Sequence, residues 1–312
     1  MKIKGVDELN AFTDESKWLV RDLLLRQGLS ILAASPKSTK SFFCLELCVS
    51  IAANTDTLGH YKSSEACRVL YFGAEDTEGI IHERLTGLLK AKGHTGIDNL
   101  GILTSPEGLR LDTDEGYTSL GKQIELFRPK LVVLDCLYAI SRASENDSGS
   151  ILSVLEKLRL IRERYRTAVL LVHHTSKDSD SKRVGERLRG SSALYGFFET
   201  ILGLRRDQAG TIFLDVEHRA APSFQNVPIE LKADASGISY KVVAVTVEKF
   251  QGHLTVEDKV IECVQYRIPM SLECLAQRTN IAPTELRKII YGLLKIGKLT
   301  WTKQGYLRGG AQ

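Results

Sequence analysis

Residues 29–48, Leu-Ser-Ile-Leu-Ala-Ala-Ser-Pro-Lys-Ser-Thr-Lys-Ser-Phe-Phe-Cys-Leu-Glu-Leu-Cys, join two apolar runs through a turn of small and polar residues. The first run suits a buried strand and the second a helix, with Lys40-Ser41 where turn gives way to helix. Such a unit aims helix N–H groups at whatever lies over the turn, which is the layout of a phosphate-binding loop. In it a lysine reaches the β- and γ-phosphates and a hydroxyl holds Mg²⁺. Against the pattern GxxxxGK[ST], the eight residues Ala34, Ser35, Pro36, Lys37, Ser38, Thr39, Lys40 and Ser41 lack both glycines. Ala34 is a mild departure. At Thr39 a β-branched residue forced to positive φ costs about 1–2 kcal/mol. The alternative is an ordinary strand-to-helix turn capped by Ser38 or Thr39.

The later apolar runs end in groups that suit the same chemistry. Residues 68–72 form a strand followed by Glu75, a candidate for orienting or deprotonating an attacking water. Its other reading is a cap on a helix over 78–89, a task open also to Asp76 and Thr77. Residues 129–134 lead to Asp135, either a Walker B carboxylate that holds Mg²⁺ through water or a plain strand end. Residues 168–172 lead to His173 and His174, which point to opposite faces and so cannot serve one metal. His174 is then a candidate γ-phosphate sensor or a satisfied polar terminus.

Between these runs, 99–104 reads as a weaker strand, the polar residues to Glu115 as a surface loop, and 150–166 as an amphipathic helix. The polar segment 176–191 carries Lys182, Arg183, Arg187 and Arg189, candidates for nucleic-acid contact or a solvated loop. Strands over 199–204, 211–217 and 228–231 follow. The apolar lead-in around Trp18 is expected to pack on the sheet edge. The fold class is therefore α/β: a mainly parallel sheet flanked by helices with late antiparallel strands, spanning residues 1–250.

Residues 251–312 read as a separate winged-helix-like domain of three helices and a hairpin turning at 303–305. Its third helix, 283–295, buries Leu286, Ile289, Ile290, Leu293 and Leu294 and turns Arg287 and Lys288 outward, either toward a DNA groove or toward a protein partner. Charge supports the first. Of 42 Lys/Arg and 38 Asp/Glu in the chain, nine and five lie in 255–312, so the rest is balanced and the excess sits there. The six cysteines form no CxxC pair and read as core residues of a reducing compartment. No run is long enough to span a membrane and the start lacks a signal-peptide core, so a cytoplasmic location with no membrane partner is expected.

Seven motifs in order, Trp18-Leu-Val20, Pro36–Ser41, Tyr71–Asp76, Leu131–Asp135, Leu171–Thr175, Arg189–Leu194 and Val216–Pro222, carry a resemblance to the RecA-like ATPases of the hexameric helicase type. The plasmid RepA-like group is the nearer likeness and the DnaB-type helicases the more distant one. The resemblance covers about residues 15–235. It implies ATP and Mg²⁺ as cofactors, bound by residues 34–41, with Ser41 and Asp135 on the metal. It also implies Glu75 as the catalytic carboxylate, His174 as the switch linking nucleotide state to DNA, and Arg219 as a finger reaching a neighbouring subunit's site. Glu217 stands where such enzymes carry a second basic residue. The implied protein is a homo-oligomer, a hexamer, that acts on single-stranded and duplex DNA beside replication proteins of a plasmid, phage or other mobile element. The rival expectation is a nucleotide-gated DNA-binding scaffold or regulator with little hydrolysis.

Overall fold

The computed structural model describes residues 5–8, 16–104, 108–141, 148–175, 184–188, 192–207, 210–243, 256–264, 270–279, 281–302 and 305–308. The chain divides into two compact units, 1–243 and 244–312.

In chain order the first unit contains β1 (Trp18–Val20), β2 (Leu24–Leu25), β3 (Leu29–Ala34), α1 (Lys40–Ala53), β4 (Val69–Gly73), α2 (Glu78–Ala91) and β5 (Leu100–Leu103). It continues with α3 (Asp114–Phe127), β6 (Leu131–Asp135), α4 (Leu137–Ile140), α5 (Ser148–Tyr165), β7 (Ala168–His174) and α6 (Ser192–Phe197). β8 (Thr200–Arg206), β9 (Ile212–His218), β10 (Phe224–Asp234) and β11 (Gly237–Val242) complete it. Nine strands form one sheet in the order β11-β10-β9-β8-β3-β7-β6-β4-β5. β8 through β5 in that order run parallel, and β9, β10 and β11 add antiparallel strands, so the fold is the mainly parallel α/β sheet with late antiparallel strands.

The central strands look continuously apolar because both of their faces are covered. Leu32, Tyr71, Val133 and Leu170 join α1, α2 and Tyr240 in one core, while Ile31, Phe72, Val132 and Leu171 join α3, α4, α5 and α6 in the other. The period of two is thus intact within runs that show no polar alternation.

Three expectations change. Trp18 and its neighbours do not sit on a sheet edge: Leu19, Val20, Leu23 and Leu24 belong to the first core, and Trp18 packs edge-on against His218 of β9, an inner strand. The strand expected over 228–231 is the longer β10, and it is followed by β11, whose polar and half-buried residues hide it from a hydrophobicity reading. β11 lies close against α2. A Cβ on Gly237, at φ 123°, would stand 2.4 Å from the carbonyl oxygen of Gly87, so glycine is required there. Of the surface loop expected to Glu115, α3 takes the last two residues.

The second unit contains α7 (Val256–Cys263), α8 (Leu272–Thr279), α9 (Pro283–Lys295), β12 (Leu299–Thr302) and β13 (Gly305–Arg308). Its own core includes Val260, Leu275, Leu286, Ile290, Leu293 and Leu299. Pro283 opens α9, where its missing N–H removes no helical bond. β12 and β13 pair antiparallel, and the turn residues 303 and 304 lie outside the described residues. No helix among the described residues is long and apolar enough to cross a membrane.

Candidate functional site

Strand register gathers the polar strand ends. Ala34 of β3 pairs with His174 of β7, and Gly73 of β4 with Asp135 of β6. β7 lies between β3 and β6, so His174 falls between the loop and Asp135 at the carboxyl end of the parallel strands. That end is where open α/β sheets bind ligands.

The loop from Ala34 to Ser41 takes the shape that glycine would permit, without glycine. Thr39 has φ 65° and ψ 21°, and Lys37 has φ 62°. The expected strain at Thr39 is therefore present, and the fold opposes it. Thr39 Oγ1 donates to the Ser38 carbonyl at 2.5 Å and shares a 2.7 Å hydrogen bond with the Tyr240 hydroxyl of β11. The ordinary capped turn is not formed. Neither Ser38 nor Thr39 caps α1 through its side chain, and no acidic residue stands in the first turn. The α1 N-terminus thus keeps free N–H groups and an uncompensated dipole, which favour an anion.

Since Thr39 already holds positive φ, its strain is met on folding rather than on ligand binding. Thr39→Gly is then expected to alter stability more than nucleotide affinity. Tyr240→Phe removes the bond that holds the strained residue and is expected to weaken ATP binding about fivefold, equivalent to about 1 kcal/mol. The same change in a Thr39→Gly background should have no such effect. Titration calorimetry on the four chains checks the cycle, and additive effects would separate Tyr240 from the loop.

Asp135 is buried, and its Oδ2 accepts a 2.8 Å bond from the Tyr71 hydroxyl. Burial raises its pKa, while hydrogen bonds from Tyr71 and Ser41 act the other way; the nearby Glu75 charge adds to the rise and the Lys40 ammonium opposes it. Lys40 is also buried, and its Nζ donates to the Ser35 carbonyl at 3.3 Å across the mouth of the loop. Asp135 Oδ1 and Ser38 Oγ are buried atoms with no hydrogen-bond partner among the described residues. A carboxylate oxygen and a hydroxyl left unsatisfied beside a lysine and a free helix N-terminus fit a phosphate with a hard, oxygen-seeking cation.

Glu75 is exposed and caps no helix. Thr77 holds the N-cap position of α2, and Asp76 pairs with Arg84. Glu75 Oε1 instead accepts a 3.2 Å bond from the Cys136 thiol and lies 3.7 Å from His174 Nε2. Burial, then the bond to Glu75, pushes the Cys136 thiol up to about 12, so it stays a proton donor to the carboxylate. Sequence reading overlooked both Cys136, as one more apolar-run cysteine, and Tyr240. Asp135-Cys136 at a strand end beside a strand-end glutamate was the only local signal for the former.

The remaining candidates stand elsewhere. Arg219 follows β9, whose His218 pairs with Thr200 at the start of β8, the sheet end opposite the loop. Its guanidinium donates to the carbonyls of Gly196 (2.5 Å) and Phe198 (3.4 Å), so local structure does make use of it. Glu217 accepts from the Gly185 N–H at 3.4 Å and so secures a turn that ends at Arg187. Arg205 is engaged by Asp215 and Asn226, and Arg206 by the Gly210 carbonyl. Lys182, Arg183 and Arg189 lie outside the described residues. In the second unit Arg287 and Lys288 are exposed on α9, beside Tyr291 one turn on.

A family model described as an AAA domain matches residues 2–180, more than half of the chain. No curated protein matches it.

Proposed function

Because the chain belongs to the AAA-type P-loop ATPase family, we propose that it is an Mg²⁺-dependent ATP hydrolase that works as an oligomer on nucleic acid. The observation that carries this reading is the pair of unpartnered buried atoms, Ser38 Oγ and Asp135 Oδ1, at the uncapped start of α1 with Glu75 at the same sheet end.

In this reading the N–H groups of residues 37–41 and the Lys40 ammonium bind the phosphates, and Ser41 with Asp135 holds the metal; Pro36 has no N–H to offer. Bound Mg²⁺ supplies neutralisation of phosphate charge. Glu75 orients a water and takes its proton, and the Cys136 thiol fixes which way the carboxylate turns. His174, beside Glu75 and next to the loop strand, reports the state of the terminal phosphate. Arg219 completes a neighbouring subunit's site, since its own loop lies at the far end of the sheet. The setting consistent with the resemblance is a hexameric RepA-like helicase or related motor, cytoplasmic, replicating plasmid, phage or other mobile DNA.

The basic second unit, read as a winged helix, would bind DNA through α9. Replacing both Arg287 and Lys288 by Ala in the full chain is expected to flatten the slope of log affinity against log salt by about two for duplex DNA, one for each phosphate no longer neutralised. An unchanged slope would assign that face to protein packing. The whole reading is tested by ATP turnover of the purified chain with and without Mg²⁺ and single-stranded DNA. Expected is Mg²⁺-dependent turnover that DNA accelerates; nucleotide binding without turnover would favour the scaffold.

A further inference from the structure

The parallel sheet brings one metal-ligating side chain from each of three adjacent strand ends to a single point. Glu75 follows β4, Cys136 follows β6 and His174 ends β7, and these strands are neighbours in the order β7-β6-β4. Their ligand atoms all lie within 4.8 Å of one another. Cys136 Sγ is 3.2 Å and His174 Nε2 is 3.7 Å from Glu75 Oε1. A tetrahedral zinc with bonds of about 2.0–2.3 Å needs ligand atoms about 3.3–3.8 Å apart, so the Glu75–His174 separation lies in that range, the Glu75–Cys136 separation falls just below it, and the Cys136–His174 separation, within 4.8 Å, is closed by side-chain adjustment.

We propose that Glu75, Cys136 and His174 form an inhibitory Zn²⁺ site, distinct from the Ser41–Asp135 pair suited to Mg²⁺. The donor set decides the metal. Thiolate and imidazole favour a borderline-soft ion, whereas Ser41 and Asp135 offer only the oxygen that Mg²⁺ prefers. Three protein ligands leave a fourth position for water, open on the exposed side of Glu75. On binding, the thiol proton passes to solvent and the thiolate takes its place on the metal, replacing the Cys136–Glu75 hydrogen bond.

The site is built for reversible occupancy. A zinc-bound histidine ordinarily donates its other ring N–H to a fixed partner, and His174 Nδ1 has none among the described residues. Its affinity should therefore fall short of a structural zinc site, in the range where free zinc concentration and chelators can switch it. The effect on catalysis rests on the hydrolase reading above. A metal-bound Glu75 cannot accept a proton from water and a metal-bound His174 cannot respond to phosphate, while residues 35–41 remain able to bind nucleotide.

The test separates metal binding from activity. Co²⁺ added to the full chain is expected to give a thiolate-to-cobalt charge-transfer band at one equivalent, displaced by Zn²⁺. Cys136→Ser should abolish the band, and His174→Gln, which removes a ligand outright, should weaken metal binding by at least the roughly 10–100-fold that loss of a ligand's hydrogen-bond partner costs. A band that persists in Cys136→Ser, or no band in the native chain, overturns the site whether or not the protein hydrolyses ATP. Zn²⁺ sensitivity is then read as turnover with the metal divided by turnover without it, at fixed Mg²⁺. Expected is strong inhibition of the native chain, reversed by a chelator, and at least about tenfold weaker inhibition of Cys136→Ser whatever its basal rate. Equal sensitivity of the two chains overturns the inhibitory role. A native chain that shows the cobalt band but no turnover would overturn the hydrolase reading and leave the metal site standing.

Discussion

Glu75→Gln is expected to lower ATP turnover by about 10²–10⁴ while nucleotide affinity stays close to that of the native chain. The amide keeps the shape and can still accept the Cys136 thiol hydrogen bond, but it cannot take a proton from water. Glu75 is exposed and caps no helix, so its replacement should cost little stability. Lys40→Ala supplies the contrast. Lys40 is buried at the loop mouth, its ammonium addresses phosphates already present in the bound ground state, and its loss should abolish nucleotide binding itself. Calorimetric titration with a non-hydrolysable ATP analogue, beside a phosphate-release assay, distinguishes the two chains. A Lys40→Ala protein with native affinity would remove the phosphate-loop assignment. A Glu75→Gln protein with native turnover would move water activation to another group.

Arg219→Ala is expected to reduce turnover by about 10³ with ATP affinity nearly intact, provided that Arg219 acts on a neighbouring subunit. Its own loop is excluded as a target. The six residues of β3 separate the two sheet ends by about 20 Å at strand rise. The bonds from its guanidinium to the Gly196 and Phe198 carbonyls offer a competing account, in which the side chain only fastens the end of β9 to the last turn of α6 and the residue after it. Mixing separates them. Arg219→Ala subunits combined with Glu75→Gln subunits can form interfaces that pair an intact glutamate with an intact arginine, and turnover should partly return. Absence of complementation in a preparation shown to exchange subunits, together with a lowered melting temperature for Arg219→Ala, would make the residue purely structural.

Much of the architecture was legible because its signals are local. Apolar runs ending in Ser-Pro-Lys, Glu75, Asp135 and His174 mark strands whose carboxyl ends share one side of a parallel sheet, since crossover connections return each strand in the same direction. The alternation that sorts Leu32 from Ile31 or Tyr71 from Phe72 into different cores follows from the pleat alone once both faces are covered. The positive φ at Thr39 was likewise foreseeable, because the tight approach of loop to helix dictates it whatever residue occupies the place.

Tertiary structure decided everything that depends on strand order and on partners distant in sequence. Tyr240 supports Thr39 from 201 residues away, on an edge strand too polar to announce itself, and it could be found only after the antiparallel strands had been placed against α1 and α2. Cys136 reads as core in its own run, and it becomes a ligand candidate because β6 lies between β4 and β7. Glu75 and Ser38 looked equally able to cap helices, and only side-chain geometry left the α1 N-terminus open. The side of the sheet on which Arg219 falls is set by the antiparallel return of β9, a reversal of direction that no feature of Glu-His-Arg-Ala-Ala-Pro encodes. Local pattern specifies which residues end an element, but the neighbours that those residues meet follow from long-range strand pairing, whose register and order are properties of the assembled sheet.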